Sequence, residues 1–271
     1  MSRLYLIAIL SVLIANSAFA QQNSVDTLYT GLNKATSFTF GNDAIYIVEA
    51  GAHRVLKLGF EGKLIERYGK RGSGNYQFDN PVDIATTNGL KLFVSDKGNN
   101  RIQVFDKRWQ YLSSIKAKEQ FQTGSEINPM FLGVNKFGEV IFYNDGSGSL
   151  GKYNEDGSML DEIPIPSEVI SVDGIQISGD KVFILDRKSG FIHRLSGNGF
   201  YETFYPAKRG NTFYYKDEIV YLIQGSSLKS NGKGQIKNLY DFKSETLVTK
   251  IMVIDDDIFI LTSNSLLKIS L

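Results

Sequence analysis

The chain has 271 residues, two histidines, no cysteine, and 30 basic against 29 acidic side chains. The absence of Cys excludes thiol nucleophiles, thiolate metal sites and disulfides, and two histidines cannot build a three-His zinc site within one chain. The even charge balance argues against a binder that neutralises many phosphates, so no nucleic-acid partner is expected.

The chain opens with MSRLYLIAILSVLIANSAFA. Arg3 supplies a positive start, residues 4–15 an apolar core of 12 residues, and Ala18-Phe19-Ala20 a small-x-small cleavage site. Residues 1–20 therefore read as a secretory signal peptide. The apolar run is short for a bilayer anchor, and no Cys follows it to carry lipid. The expectation is an exported protein, periplasmic or extracellular, with no membrane span, in which residues 21–271 form one domain.

Next comes VDTLYTG at residues 25–31, a strand that belongs to no neighbouring pair. After it, one pattern recurs six times: IYIVE ending at Glu49, LFVSD at Asp96, VIFYN at Asn144, VFILD at Asp186, VYLIQ at Gln224 and IFILT at Thr262. Their last residues are 47, 48, 42, 38 and 38 positions apart. A Gly-, Asn- or Asp-containing turn precedes most of these runs, as in GND at 41–43, TNG at 87–89 and SGD at 178–180. Such residues tolerate the left-handed dihedrals of tight hairpins. A shorter strand follows each run (RVLKL, RIQVF, LGKY, IHRL, SLKS, LLKISL), and then a second turn and a fourth strand such as KLIERYG or QIKNLYDF. Val, Ile, Tyr and Phe dominate, and no 3.6-residue period is sustained, so strands are expected almost throughout.

A four-stranded unit repeated six times predicts an all-β, six-bladed β-propeller. The last copy stops on its third strand, and residues 25–31 can supply the fourth, closing the ring and covering an open edge. The competing reading is a sandwich whose hairpins are alike by chance; six copies with an interlocking terminus favour the propeller.

Residues 78–106, FDNPVDIATTNGLKLFVSDKGNNRIQVFD, resemble an NHL repeat: Phe and Pro opening the blade, a strand ending in Asp, an Asn-Asn-Arg-Ile turn and an apolar third strand. The first copy keeps this partly in IYIVEAGAHRVLKL, the third keeps Asn128-Pro129, and the last three keep only the strand order. The resemblance implies a six-bladed propeller. It leaves activity open, because NHL-like propellers host binding scaffolds, lyases and hydrolases.

Glu49, Asp96, Asn144, Asp186 and Gln224 end the second strand of five blades. A ring of metal-binding carboxylates is one reading. Structural bracing is the other, in which each side chain accepts N–H groups of the following turn. Repetition favours bracing, since one active site needs unique groups. Arg101 can likewise tie its turn to a neighbour, and Pro81 and Pro129 fix the start of their blades.

In a propeller the connections d–a and b–c share one face. That face collects Lys70, Arg71, Lys97, Arg101, Arg187, Lys188, Lys208, Arg209 and His53, diluted by Asp79, Glu119, Asp145 and Glu168. The turns of the other face collect Asp43, Glu61, Glu155, Asp156, Asp180, Asp217, Glu218 and residues 255–257. A basic ligand face and an acidic back are expected, with His53, Arg71, Tyr76, Lys97, Arg101, Arg187 and Lys188 as ligand-face candidates. Tyr76 sits in the glycine-rich connection 69–81, whose Phe78 serves either a ligand or the packing between blades. DGSGSLG at 145–151 lacks the Lys-Ser/Thr ending of a phosphate loop and is set aside.

These features predict an exported monomer that binds a peptide, glycan or protein partner through its loop face. The alternative is a metal-dependent hydrolase or lyase, lactonase-like or strictosidine synthase-like. A peptidyl-hydroxyglycine lyase would need several metal-binding His and disulfides, which this chain lacks. A lactonase would need Glu, Asn and Asp converging on the channel, for which Glu126, Asn128, Asp173 and Asp83 are candidates. No catalytic residue is assigned and no cofactor is expected; calcium, held by oxygen ligands, stays open.

Overall fold

Alternating short strands and tight turns leave the backbone one way to satisfy its N–H and C=O groups, which is pairing within successive hairpins. The computed structural model shows this over residues 24–87, 89–116, 127–242 and 246–270. The proposed signal peptide, Glu119 and Glu126 lie outside the described residues.

The described chain forms 24 strands in six four-stranded antiparallel sheets. Strand β1 is Val25–Thr30. Blade one holds β2 Ala35–Phe40, β3 Ile45–Glu49, β4 Arg54–Leu58 and β5 Leu64–Tyr68; blade two holds β6 Pro81–Thr87, β7 Lys91–Asp96, β8 Arg101–Asp106 and β9 Tyr111–Ile115. Blade three is β10 Pro129–Val134, β11 Val140–Asn144, β12 Ser149–Tyr153 and β13 Met159–Pro164; blade four is β14 Gly174–Ser178, β15 Lys181–Asp186, β16 Phe191–Ser196 and β17 Tyr201–Pro206. Blade five is β18 Gly210–Lys216, β19 Ile219–Gln224, β20 Ser227–Gly232 and β21 Gln235–Asp241; blade six is β22 Val248–Ile254, β23 Asp257–Thr262 and β24 Ser265–Ser270, completed by β1.

The ring therefore closes as expected. Strand β1 runs antiparallel to β24 with Val25 opposite Ile269 and Thr27 opposite Leu267. Leu28 and Tyr29 pack into the cluster between blades six and one. The joint is pinned again by Leu32 N–H donating to Asn264 O at 3.0 Å and Ala35 N–H to Ser263 O at 2.9 Å.

The core is a ring of six apolar clusters, one at each blade interface. Strand b of each blade lies between two sheet neighbours and two adjoining blades. Accordingly β3 is buried at every residue, and β7 and β15 at all but the first. This is why strand b reads as an unbroken apolar run, whereas the outer β17 alternates between half-buried and exposed residues. At the interface of blades one and two, Trp109 stacks on Phe105 at 4.4 Å and on Tyr68 at 4.3 Å, with Phe78 fully buried beside them. Each such aromatic contributes roughly 1.5–3 kcal/mol by burial.

Turn chemistry matches the hairpins. Asp217 and Glu218 both have positive φ, 50° and 63°, as the two-residue connection of β18 and β19 requires. In blades one and two, b leads to c through single 3-10 turns, Ala50–Ala52 and Lys97–Asn99, capped by His53 and Asn100 in the left-handed region.

Strand a of five blades carries a register shift near its start, between Ala35/Ser37, Pro81/Asp83, Pro129/Leu132, Gly210/Thr212 and Val248/Lys250. Within these shifts Thr36, Val82, Phe131, Asn211 and Thr249 line the central channel. Bulges at a barrel or propeller rim re-aim side chains in this way.

Candidate functional site

Strand a of all six blades lines a central cavity of about 410 Å³, with Val134, Ile177, Phe213, Ile251 and Met252 in its apolar wall. That volume lies within the ordinary range for ligand sites. Tyr214 also lines it, and burial, then the charge of Asp217, pushes its phenol above the ordinary value, so it stays a neutral hydroxyl.

One buried carboxylate crosses the channel. Asp83 accepts a hydrogen bond from Ser37 Oγ of blade one and pairs with Lys250 Nζ of blade six at 3.0 Å. It also accepts the N–H of Leu132 in blade three at 2.9 Å and that of Ile84 at 2.9 Å. Both oxygens are thus occupied, and four blades are tied through one side chain. Of the other lactonase candidates, Asp173 accepts Ser171 Oγ at 2.6 Å and Arg187 N–H at 2.9 Å at the channel mouth. Asn128 donates its N–H to Asn144 Oδ1 at 2.7 Å. Among the described residues no group of three or more His, Asp or Glu is placed to hold a metal ion.

The residues ending strand b brace the fold, but their main partner differs from the expected following turn. Glu49, Asp96, Asn144 and Asp186 accept the backbone N–H of Asn33, Asp79, Asn128 and Ile170, at 2.8, 2.7, 2.7 and 2.7 Å. Each donor precedes its acceptor by 16 or 17 residues. The brace therefore clamps the d–a connection that leads into the blade, a partner that local sequence does not indicate. The following turn adds Gly146 N–H to Asn144 and Ser189 N–H to Asp186. Burial alone would raise the Asp186 carboxyl; the N–H groups of Ser189 and Ile170 and the Ser171 hydroxyl hold it well below the usual carboxylate range.

His193 is 3 % exposed and lies over this brace. Its Nε2 faces both Ser189 Oγ at 3.2 Å and Asp186 Oδ2 at 3.4 Å, and its Nδ1 faces Tyr201 OH at 3.1 Å. A hydrolytic triad puts nucleophile and acid on opposite ring nitrogens, so this is a packing cluster.

The ligand-face candidates divide. Arg101 is 3 % exposed and donates to Asp96 Oδ2 at 2.8 Å, Gly74 O at 2.8 Å and Gln77 O at 2.9 Å. It is a brace, and with Asn99 and Gln103 it pins the glycine-rich connection. Phe78 in that connection plugs the blade interface. Tyr76 packs on Phe105 and Tyr111, and its OH accepts the Tyr111 N–H at 2.9 Å. His53 Nδ1 accepts the Asn80 N–H at 3.2 Å and stands 3.5 Å from Asp79 Oδ1. Arg71 pairs with Asp79 at 3.6 Å, and Lys97 with Asp145 at 3.3 Å. Arg187 and Lys188 are exposed, as are Lys208 and Arg209, and among the described residues these four form no ion pair. Arg187 Nη2 donates to Asn211 O at 2.8 Å.

On the back face four of the ten expected acids are answered. Asp43 meets Lys57 at 2.9 Å, Glu155 meets Lys91 at 2.6 Å, Asp180 meets Lys136 at 3.6 Å and Asp257 meets Lys268 at 2.7 Å. Three of these lysines stand on strands, so charge sorted by turns alone omits them.

Beside the channel mouth lies a second cavity of about 590 Å³, lined by Arg209, Asn211, Gln224, Gly225, Lys229, Thr246 and Leu247. It shares Asn211 and Leu247 with the channel. Asn211, Lys229, Thr246 and Leu247 escaped the sequence reading; the available signal was Gln224 standing where blades one, two and four carry an acid, with a Lys five residues on. Among the described residues no helix is long and apolar enough to cross a membrane.

Comparison with known proteins agrees with this architecture. The NHL repeat pattern matches residues 78–105, strands a to c of blade two. Human NHL repeat-containing protein 3 is 32% identical over 78 residues, 28% of this chain; the match spans 22% of that relative's length. Among solved structures, a gluconolactonase from Xanthomonas campestris superposes with a TM-score of 0.71 at 14% identity, covering 92% of this chain and 89% of its own. Virginiamycin B lyase from Staphylococcus aureus superposes with a TM-score of 0.64 at 12% identity, covering 92% and 99%. At these identities the likeness is one of fold. The chain carries an NHL repeat and is a six-bladed β-propeller.

Proposed function

We propose that the propeller is an exported binding module that engages a peptide, glycan or protein partner through its loop face, at the channel mouth over blades four to six. One observation carries this reading. Arg187 lines the channel and Arg209 the cavity beside it, and with Lys188 and Lys208 they are exposed and have no ion pair among the described residues, while Arg71, Lys97 and Arg101 on the same face are each paired with a carboxylate. Rigid strands carrying loops with unanswered charge suit recognition. The catalytic alternative draws on fold likeness, and among the described residues no side-chain arrangement in the channel adds to it.

The test is binding of the full chain to peptide and glycan arrays, repeated with Arg187→Glu/Lys188→Glu and with the back-face control Lys63→Glu/Lys136→Glu. Hits weakened at least tenfold by the first pair and kept by the second support the reading. Equal effects from the two pairs sink it. Export is tested by the intact mass of protein recovered from expressing cells, with Gln21 expected as the first residue.

A further inference from the structure

In blades one and two the strand-b brace balances its own charge. Glu49 is paired with Arg54, and Asp96 with Arg101, each cation standing five residues after the acid. Blade five keeps the cation at that spacing, Lys229, but carries Gln224 in place of the acid. The reason is visible in the backbone. Where four blades present an N–H 16 or 17 residues earlier, blade five presents the carbonyl of Lys208, which needs a donor. Gln224 Nε2 supplies one, and Gln224 Oε1 then accepts Lys229 Nζ at 2.8 Å. A carboxylate here would face that carbonyl, so the amide fits, and among the described residues Lys229 has no ion pair.

Arg209 stands beside it on the rim, exposed and with φ of 60°. Among the described residues, no acid stands in the wall of the cavity that both line. Asp241 acts on Lys229 from further off, but its oxygens accept Ser227 Oγ and Asn238 Nδ2 at 2.6 Å each. We infer that this cavity is an anion site for a carboxylate-bearing ligand, whose apolar part lies over Leu247 toward the channel; the inference rests on the binding reading and names the chemistry of its site. Lys229 supplies a point charge and Arg209 a planar fork suited to a carboxylate. Leu247 is 68 % exposed at the shared rim, and the channel wall beyond it is apolar. Phosphate shares the ionic part of this chemistry and lacks the apolar part.

The experiment is calorimetric titration of the full chain, at low salt, with hexanoate, hexanol and inorganic phosphate. Hexanoate is expected to bind at least tenfold more tightly than hexanol and more tightly than phosphate. Lys229→Met and Arg209→Gln are each expected to weaken hexanoate at least tenfold, Lys229→Arg by less than threefold, and the back-face Lys136→Gln not at all. Circular dichroism melts confirm folding, and Arg209, lying on the surface, gives a variant that leaves the brace intact. Hexanoate affinity unchanged by both Lys229→Met and Arg209→Gln overturns the site; phosphate binding more tightly than hexanoate overturns the carboxylate assignment. If array ligands bind this face while hexanoate does not, the anion site falls and the binding module stands. If hexanoate binds through Lys229 while arrays give no ligand at this face, the anion site stands and the broader reading falls.

Discussion

Replacing Arg101 by Met keeps an apolar stem in the brace of blade two and removes its charge. The change takes away the donor to Asp96, which is fully buried, and to the carbonyls of Gly74 and Gln77. Asp96 keeps the Asp79 N–H at 2.7 Å and the Asn99 amide at 2.9 Å, and Gln77 O keeps the Gln103 amide at 2.7 Å. Breaking a buried pair from one side costs about 3–5 kcal/mol. The remaining donors put this site at the low end, about 3 kcal/mol, or a fall in Tm of roughly 6–12 °C for a chain of this size. Guanidinium unfolding followed by the fluorescence of Trp109 reads the event locally, since this is the one Trp and stacks on Phe105 in the same blade. The midpoint should drop with an unchanged m-value. Arg54→Met is the internal comparison: Glu49 is as buried as Asp96, but the Arg54 side chain is 30% exposed and water can take its place, so its loss should cost less, about 1–2 kcal/mol. Equal effects from the two substitutions, or an Arg101→Met cost below about 1 kcal/mol, would refute the claim that burial of the cation sets the strength of a brace.

Asp186→Asn removes a carboxylate whose native-state pKa is depressed, so the stability at stake is present above the unfolded value near 4 and fades as pH falls below it. Unfolding curves should show the variant weaker by about 1–3 kcal/mol at pH 7, with the gap narrowing between pH 4 and pH 2. Removing residues 21–30 deletes β1, opens the β24 edge and uncovers the packing sites of Val25, Leu28 and Tyr29; light scattering should then show association in place of a monodisperse species. Lys233 and Gly234 form a hairpin turn with φ of 50° and 76°, so Lys233→Asn should raise stability by roughly 0.5 kcal/mol, seen as a higher denaturation midpoint.

The parts of this fold that sequence made legible are those whose signal is local. Strand b is buried on both faces, so Ile45–Glu49 and its counterparts stand out as apolar runs, and the turns before them need residues that accept positive φ. The interlock of β1 with β24 was legible because the last period lacked a strand and the first had one to spare. The channel tie was not. Lys250 and Asp83 are 167 residues apart, and Lys250 and Ser37 are 213 apart, so no window of sequence holds both partners. The brace donors were missed at closer range, because a carboxylate beside a turn suggests that turn, whereas the N–H it holds lies 16 or 17 residues upstream. The expected charge asymmetry between faces failed to count Lys57, Lys91 and Lys268, which reach the acidic turns from adjoining strands.

A repeat fold separates what is common to its blades from what one blade alone possesses, and the second kind of residue is where recognition is best sought. Six interfaces share the work of stability, so a single brace can lose its carboxylate without opening the ring. Blade five shows this: Gln224 still clamps the chain 16 residues upstream, by donating to Lys208 O instead of accepting an N–H. The clamp survives and its charge balance does not. Lys229 is half-buried against Gln224, so among the described residues its charge has no directly paired carboxylate and is not fully given up to water. An anion brought to that cavity meets a cation already held in place, with little side-chain freedom left to lose on binding.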